Sequence, residues 1–228
     1  MKDKSLELSL RAGHRDRLRQ KFLDGELANY EIMELILGYA IPRKDVRPIA
    51  RMLYKKFGGT FPILCASIDD LERIPGLGHN TAIFIKAIQK IIIDGYRSEA
   101  EEKPVLHNRE QFDNYIRIML GGRATEEMHV LYMDENLRLL KNELHSTGTI
   151  DCTVLYNNEI VKNALNMGAK FVALVHNHPI PGLGFSREDI DITEQLKNAL
   201  LNVRIQLYDH FVVSGGVVYS MKDQHWLK

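Results

Sequence analysis

The stretch Phe171-Val-Ala-Leu-Val-His-Asn-His178 constrains this chain more than any other. The apolar run Phe171–Val175, bounded by Gly168 before it and Pro179 after it, has the length and composition of a buried strand. Strand side chains alternate between faces, so His176 and His178 share a face and can converge on one point. The chain continues through Ser186-Arg-Glu-Asp189 into a segment ending at Leu201 whose apolar positions recur at helical spacing. A short loop can fold that helix back beside the strand, which returns Asp189, in the first helical turn, to the strand end. Two imidazoles and one carboxylate are the three protein ligands of a catalytic zinc site, whose fourth position stays open for water. A plainer reading stands beside this one. Ser186 and Asp189 also form a capping box, and the helix dipole favours a carboxylate in the first turn whatever its function.

The whole pattern, His176-x-His178-x7-Ser186-x2-Asp189, resembles the JAMM motif of MPN-type metalloproteases. Its surroundings, His176-Asn-His-Pro179, Ser186-Arg-Glu-Asp-Ile190, Thr193 and Asp209-His210, resemble the bacterial RadC proteins in particular. The resemblance implies an MPN-type fold, Zn2+ as cofactor on His176, His178 and Asp189, and hydrolysis of a peptide, isopeptide or similar amide bond in a protein or peptide substrate. Zinc in such a site lowers the pKa of its water to about 7 and polarises the carbonyl. A glutamate upstream, on a neighbouring strand, serves these enzymes as general base. In Leu139-Leu-Lys-Asn-Glu143-Leu-His145-Ser-Thr-Gly148-Thr149 the residue that resembles it is Glu143, which would need a pKa raised by partial burial. Ser186 resembles the serine that steadies the oxyanion of the tetrahedral intermediate.

Two further histidines compete for the site. His145 would share a strand face with Glu143, and His210 follows the apparent strand Val203–Tyr208. The family pattern uses neither as a ligand, and a ring fixed by a hydrogen-bonding neighbour is the expectation for His210. The chain departs from RadC proteins at Ile180-Pro-Gly182, where they carry Ser-Gly after His-Asn-His-Pro. It departs again at Leu155-Tyr-Asn-Asn-Glu159, which lacks a usual basic residue. Neither change touches a ligand, and both bear on substrate recognition.

Composition sets the frame. With 228 residues, 45% hydrophobic and 26% charged, the chain suits one or two globular domains. It has no apolar run of membrane-spanning length and no signal peptide, so no membrane partner and a cytoplasmic location are expected. Cys65 and Cys152 lack CxxC spacing, which argues against a disulfide framework or a cysteine-zinc site. A boundary is expected at Ser98-Glu-Ala-Glu-Glu-Lys-Pro104, giving domains over 1–98 and 105–228. The first carries 17 Lys and Arg against 12 Asp and Glu, and the remainder 13 against 18.

The first part reads as all-helical, with helices over Glu26–Gly38, Asp45–Phe57, Ile68–Ile74 and Asn80–Tyr96. Helix, Pro75-Gly76-Leu77-Gly78, helix resembles a helix-hairpin-helix, in which Gly76 and Gly78 let backbone N–H groups approach a nucleic-acid phosphate. Arg15, Arg17, Arg19 and Lys21 could extend such a surface. The alternative function is therefore a DNA-associated repair or replication protein whose metal site is non-catalytic. The second part reads as a sheet flanked by helices. Its strands are expected over Met128–Met133, Leu137–Leu140, the histidine strand, Val203–Tyr208, Phe211–Val213 and Val217–Ser220, with a helix over Asn158–Met167. The fold class is α+β, a helical hairpin domain followed by a mixed sheet with helices.

Overall fold

A computed structural model describes residues 2–102, 108–148 and 153–227. Lys103 and Pro104 of the expected linker, and Thr149 and Cys152, lie outside the described residues. The chain divides into two compact units, Met1–Gln89 and Lys90–Lys228. The fold is α+β, with helices first and a mixed sheet second.

The first unit contains α1 (Lys2–Leu23), α2 (Asn29–Ala40), α3 (Arg47–Phe57), α4 (Thr60–Cys65), α5 (Ile68–Glu72) and the start of α6 (His79–Glu102). Its core is Leu18, Met33, Leu37, Leu53, Ile63, Leu71 and Ile85, each nearly inaccessible, with Met33 and Leu37 one helical turn apart on the inward face of α2. Helix α1 corresponds to a segment for which the sequence analysis assigned no element. The division between the units falls inside α6, upstream of the charged stretch at 98–104. The physical reason is local: beyond Lys90 the helix turns Ile93, Tyr96 and Ala100 onto the core of the second unit.

That second unit is built on a five-stranded sheet in the order β2-β1-β3-β4-β5. The strands are β1 (Glu127–Met133), β2 (Leu139–Thr147), β3 (Phe171–His178), β4 (Gln206–Ser214) and β5 (Val217–Ser220). β3 and β4 run parallel, and the other neighbours are antiparallel. Helix α7 (Arg109–Leu120) covers one face, where Phe112, Ile116 and Leu120 meet Leu131, Ala173, Val175 and Phe211. This helix is not among the elements expected from the sequence. Helices α8 (Thr153–Met167) and α9 (Arg187–Leu201) cover the other face, where Ile160, Ala164, Leu196 and Leu200 meet Val130, Tyr132, Val172 and Leu174. Alternation along β3 therefore directs its even-numbered side chains, His176 and His178 included, toward α9.

β4 corrects the expectation of two strands broken at Asp209-His210. It is continuous through both residues, and the irregularity is a bulge: Val172 pairs with Leu207, and the next residue, Ala173, pairs with Asp209. Buried Asp209 holds it. One carboxylate oxygen accepts from the backbone N–H of His210 at 2.7 Å and of Lys222 at 3.1 Å, and the other accepts from Ser220 Oγ at 2.5 Å. Leu207 lies in the α8/α9 core, so strict alternation would have turned His210 to the α7 face. The extra residue turns it back toward α9.

Candidate metal centre

The sheet brings four side chains together at the C-terminal end of β3. Glu126, His176, His178 and Asp189 offer ligand atoms that all lie within 4.8 Å of one another. The His176 and His178 Nε2 atoms are 3.0 Å apart, Asp189 Oδ1 is 3.2 Å from the first, and Asp189 Oδ2 is 3.5 Å from the second. Glu126 Oε1 stands 4.0 Å from His176 Nε2. His176 and Asp189 are buried, whereas His178 and Glu126 are partly open. His178 Nδ1 faces the Leu183 carbonyl at 3.3 Å, and because a carbonyl only accepts, the ring donates there and turns a bare Nε2 inward. Two imidazoles and two carboxylates converging on one point form a donor set of the N and O type that zinc accepts.

Asp189 is held as the capping box requires. Its Oδ2 accepts from Ser186 N at 2.7 Å and Ser186 Oγ at 2.8 Å, while Ser186 Oγ accepts from Asp189 N at 3.0 Å. The cap anchors Oδ2 and leaves Oδ1 pointing at His176, so capping does not stop Asp189 from offering a ligand atom. Burial alone would raise this carboxyl. The hydrogen bond and charge of His176, then the Ser186 N–H, outweigh it and hold Asp189 well below the ordinary carboxylate range. The Ser186 hydroxyl proton is directed to Asp189, so donating to a substrate oxygen means giving up that bond.

Glu143 is elsewhere. It sits on edge strand β2 opposite Val130, which in turn lies opposite Leu174, so it is two strands from β3, about 10 Å away by strand spacing alone. Its carboxylate accepts from Asn163 Nδ2 of α8 at 3.2 Å and pairs with Lys141 Nζ at 3.2 Å. His145 stays on β2 with it and does not join the metal group; burial lowers its pKa.

The carboxylate at the histidine pair is Glu126, which the sequence analysis did not select. Met128 pairs with His176, and Met128, Val130 and Tyr132 all face the α8/α9 core. Glu126, two residues before Met128, continues that face one strand away from the histidine pair. The middle residue of the His-Asn-His motif explains its placement. Buried Asn177 accepts from Glu127 N at 2.9 Å and donates to Thr125 O at 3.0 Å, gripping the backbone on both sides of Glu126. The usable signal was the even-numbered alternation into Glu126, but it needed the knowledge that β1 is the neighbour of β3.

The loop after His178 is pinned by the β4–β5 turn. Ser214 Oγ donates to Ile180 O at 3.1 Å, and Gly215 has φ +57, with an added Cβ falling 3.1 Å from Pro181 Cβ. Only glycine suits that position. The Ile180-Pro-Gly182 departure thus occupies a fitted place in this chain, and it leaves Ile180 and Leu183 exposed beside the site.

A family model described as the RadC-like JAB domain matches residues 106–226, which spans the whole of this site. The chain belongs to the RadC-like JAB domain family. Among curated relatives, the UPF0758 protein FN0909 of Fusobacterium nucleatum is 33% identical, with 93% of this chain and 96% of the relative covered. The UPF0758 protein SPO0054 of Ruegeria pomeroyi is 31% identical, covering 94% of this chain and 97% of the relative. The likeness to these two relatives therefore reaches into the helical unit as well.

In that helical unit of this RadC-family chain, Gly76 is a turn residue with φ +88, and an added Cβ would press on Ile49 Cδ1 at 3.2 Å. Its glycine is explained by packing. Gly78 precedes α6, whose first residue, His79, bonds through Nδ1 to Glu72. Of the basic residues considered for a nucleic-acid surface, Arg15 donates to the carbonyls of Ile41, Pro42 and Lys44, Arg19 pairs with Asp16, and Lys21 pairs with Glu31. Among the described residues no helix is long and apolar enough to cross a membrane.

Proposed function

We propose that this chain is a zinc-dependent hydrolase that cleaves a peptide, isopeptide or similar amide bond. The observation that carries the reading is the convergence of two Nε2 atoms and the Asp189 carboxylate, with a second carboxylate, Glu126, on the partly open side. His176, His178 and Asp189 would hold the ion, which when bound would acidify a water molecule and polarise the scissile carbonyl. Glu126 replaces Glu143 as the base: it stands beside the histidine pair on the partly open side, placed to take a proton from water and deliver it to the leaving nitrogen. Asn177 fixes the backbone that carries it. Ser186 anchors Asp189 and stands at the rim, where its hydroxyl can turn from Oδ2 to an oxyanion while the Ser186 N–H keeps the ligand in place.

The test is a paired substitution. Glu126→Gln should keep zinc and lose about 10²- to 10⁴-fold in turnover of peptide and isopeptide substrates, the usual contribution of a positioned base. Glu143→Gln should leave turnover within a few-fold, because its partners are Asn163 and Lys141. Turnover abolished by Glu143→Gln and untouched by Glu126→Gln would refute the assignment.

A further inference from the structure

We propose that His210 is a positioning residue that orients His176 toward the metal through a directed chain of hydrogen bonds; the inference rests on the metal-site reading above. Thr193 has one hydroxyl proton, and it donates to the Asp189 carbonyl at 2.5 Å. Its oxygen, 2.6 Å from His210 Nδ1, is left to accept, so His210 carries its proton on Nδ1. Full burial disfavours a charged ring, so the other nitrogen of His210, Nε2, is a bare acceptor, and it lies 2.8 Å from His176 Nδ1. His176 therefore donates from Nδ1 and presents Nε2 to His178 and Asp189. The chain links the backbone of one ligand, Asp189, to the ring of another, His176, so both are set together.

The fold is shaped to hold this relay. His210 is fully buried, and its backbone is fixed on both sides, N–H on Asp209 Oδ1 at 2.7 Å and carbonyl on Met221 N at 3.0 Å. The bulge in β4 turns the ring toward α9, where Thr193 lies, and bulges beside functional sites often re-aim a side chain in this way. Phe185 packs edge-on at 5.4 Å between ring centroids and closes one side. Groups that fix the tautomer and orientation of a metal-bound imidazole raise metal affinity, typically by about 10- to 100-fold.

The experiment is nitrogen-15 spectroscopy of the imidazoles in the zinc-free full chain, joined to zinc competition against a chromophoric chelator. Protons on Nδ1 of both His176 and His210, with His210 Nε2 bare, support the relay. A His176 protonated only at Nε2 overturns it. His210→Leu should weaken zinc binding by about 10- to 100-fold with the fold intact, and Thr193→Val, which keeps the shape, should weaken it in the same direction. His210→Gln supplies a carbonyl to His176 and an N–H to Thr193, and should recover most of the loss. Zinc affinity unchanged in His210→Leu and Thr193→Val, or His210→Gln no better than His210→Leu, overturns the proposal. Failure of wild-type protein to bind zinc would refute the metal reading, while the tautomer pattern, read without zinc, still decides the relay.

Discussion

Replacing Asp189 with Asn tests the centre of the site with little change in shape. In the zinc-free protein the carboxylate is buried and accepts two hydrogen bonds from Ser186, at 2.7 and 2.8 Å. A hydrogen bond to a charged group contributes roughly 1 kcal/mol more than a neutral one, so losing the charge on two of them costs about 2 kcal/mol. For a unit of this size each kcal/mol moves the melting temperature by about 2–4 °C, so the zinc-free variant should melt roughly 4–8 °C below wild type. Zinc separates ligation from capping. At a zinc concentration about 100-fold above Kd, binding stabilises wild type by about 2.7 kcal/mol, a rise of roughly 5–11 °C. If loss of the ligand weakens binding about 100-fold, the same zinc concentration adds only about 0.4 kcal/mol, or roughly 1 °C. The assay is a thermal melt of chelator-treated protein with and without added zinc. A zinc-dependent rise in Asp189→Asn as large as in wild type would show that Asp189 only caps α9, and the ligand assignment would fail.

The remaining predictions follow from neighbouring contacts. Asn177→Leu strands the Glu127 N–H and the Thr125 carbonyl, and should cost about 2–4 kcal/mol in chemical denaturation; a cost near zero would mean that neither bond is stabilising. Gly215→Ala forces a Cβ onto Pro181 at positive φ, and should lower stability by about 1–2 kcal/mol; unchanged melting would disprove the fitted loop. Burial raises the Asp209 carboxyl despite its partners Ser220, Lys222 and His210. The folded state then holds this proton more tightly than the unfolded chain, so ionisation costs stability as pH climbs from 3.8 through the raised value. Across that window the stability of wild type relative to Asp209→Asn should fall with rising pH, and a flat difference between the two melts would contradict the shift.

The convergence of the candidate ligand triad was legible because it is local. His176 and His178 share a face by strand alternation, and Asp189 returns through one short loop into a first helical turn, so all three lie within one strand–loop–helix unit. Ser186 as N-cap was legible for the same reason, since a capping box spans only four residues. The helical hairpin, the α8 stop at Gly168 and the α+β class were also written in periodicity and turn residues. Helices α1, α4 and α7 were missed.

What the sequence could not settle was every relation that crosses strands. Glu143 and Glu126 both sit beside β1-type apolar patterns, and only the order β2-β1-β3 decides which carboxylate reaches the histidines. His210 reads as a residue after a strand end, yet one extra residue in β4 places it behind His176. Asn177, read as a spacer, is the clamp on the backbone around Glu126. Sequence alone determined the residues that share one strand, one loop and one helix, because alternation and helical pitch are local properties of the backbone. Register and bulges depend on which strands become neighbours, and that is chosen by packing α7 on one face and α8 and α9 on the other. The base candidate and the support of the candidate ligand His176 were therefore decided by the tertiary structure.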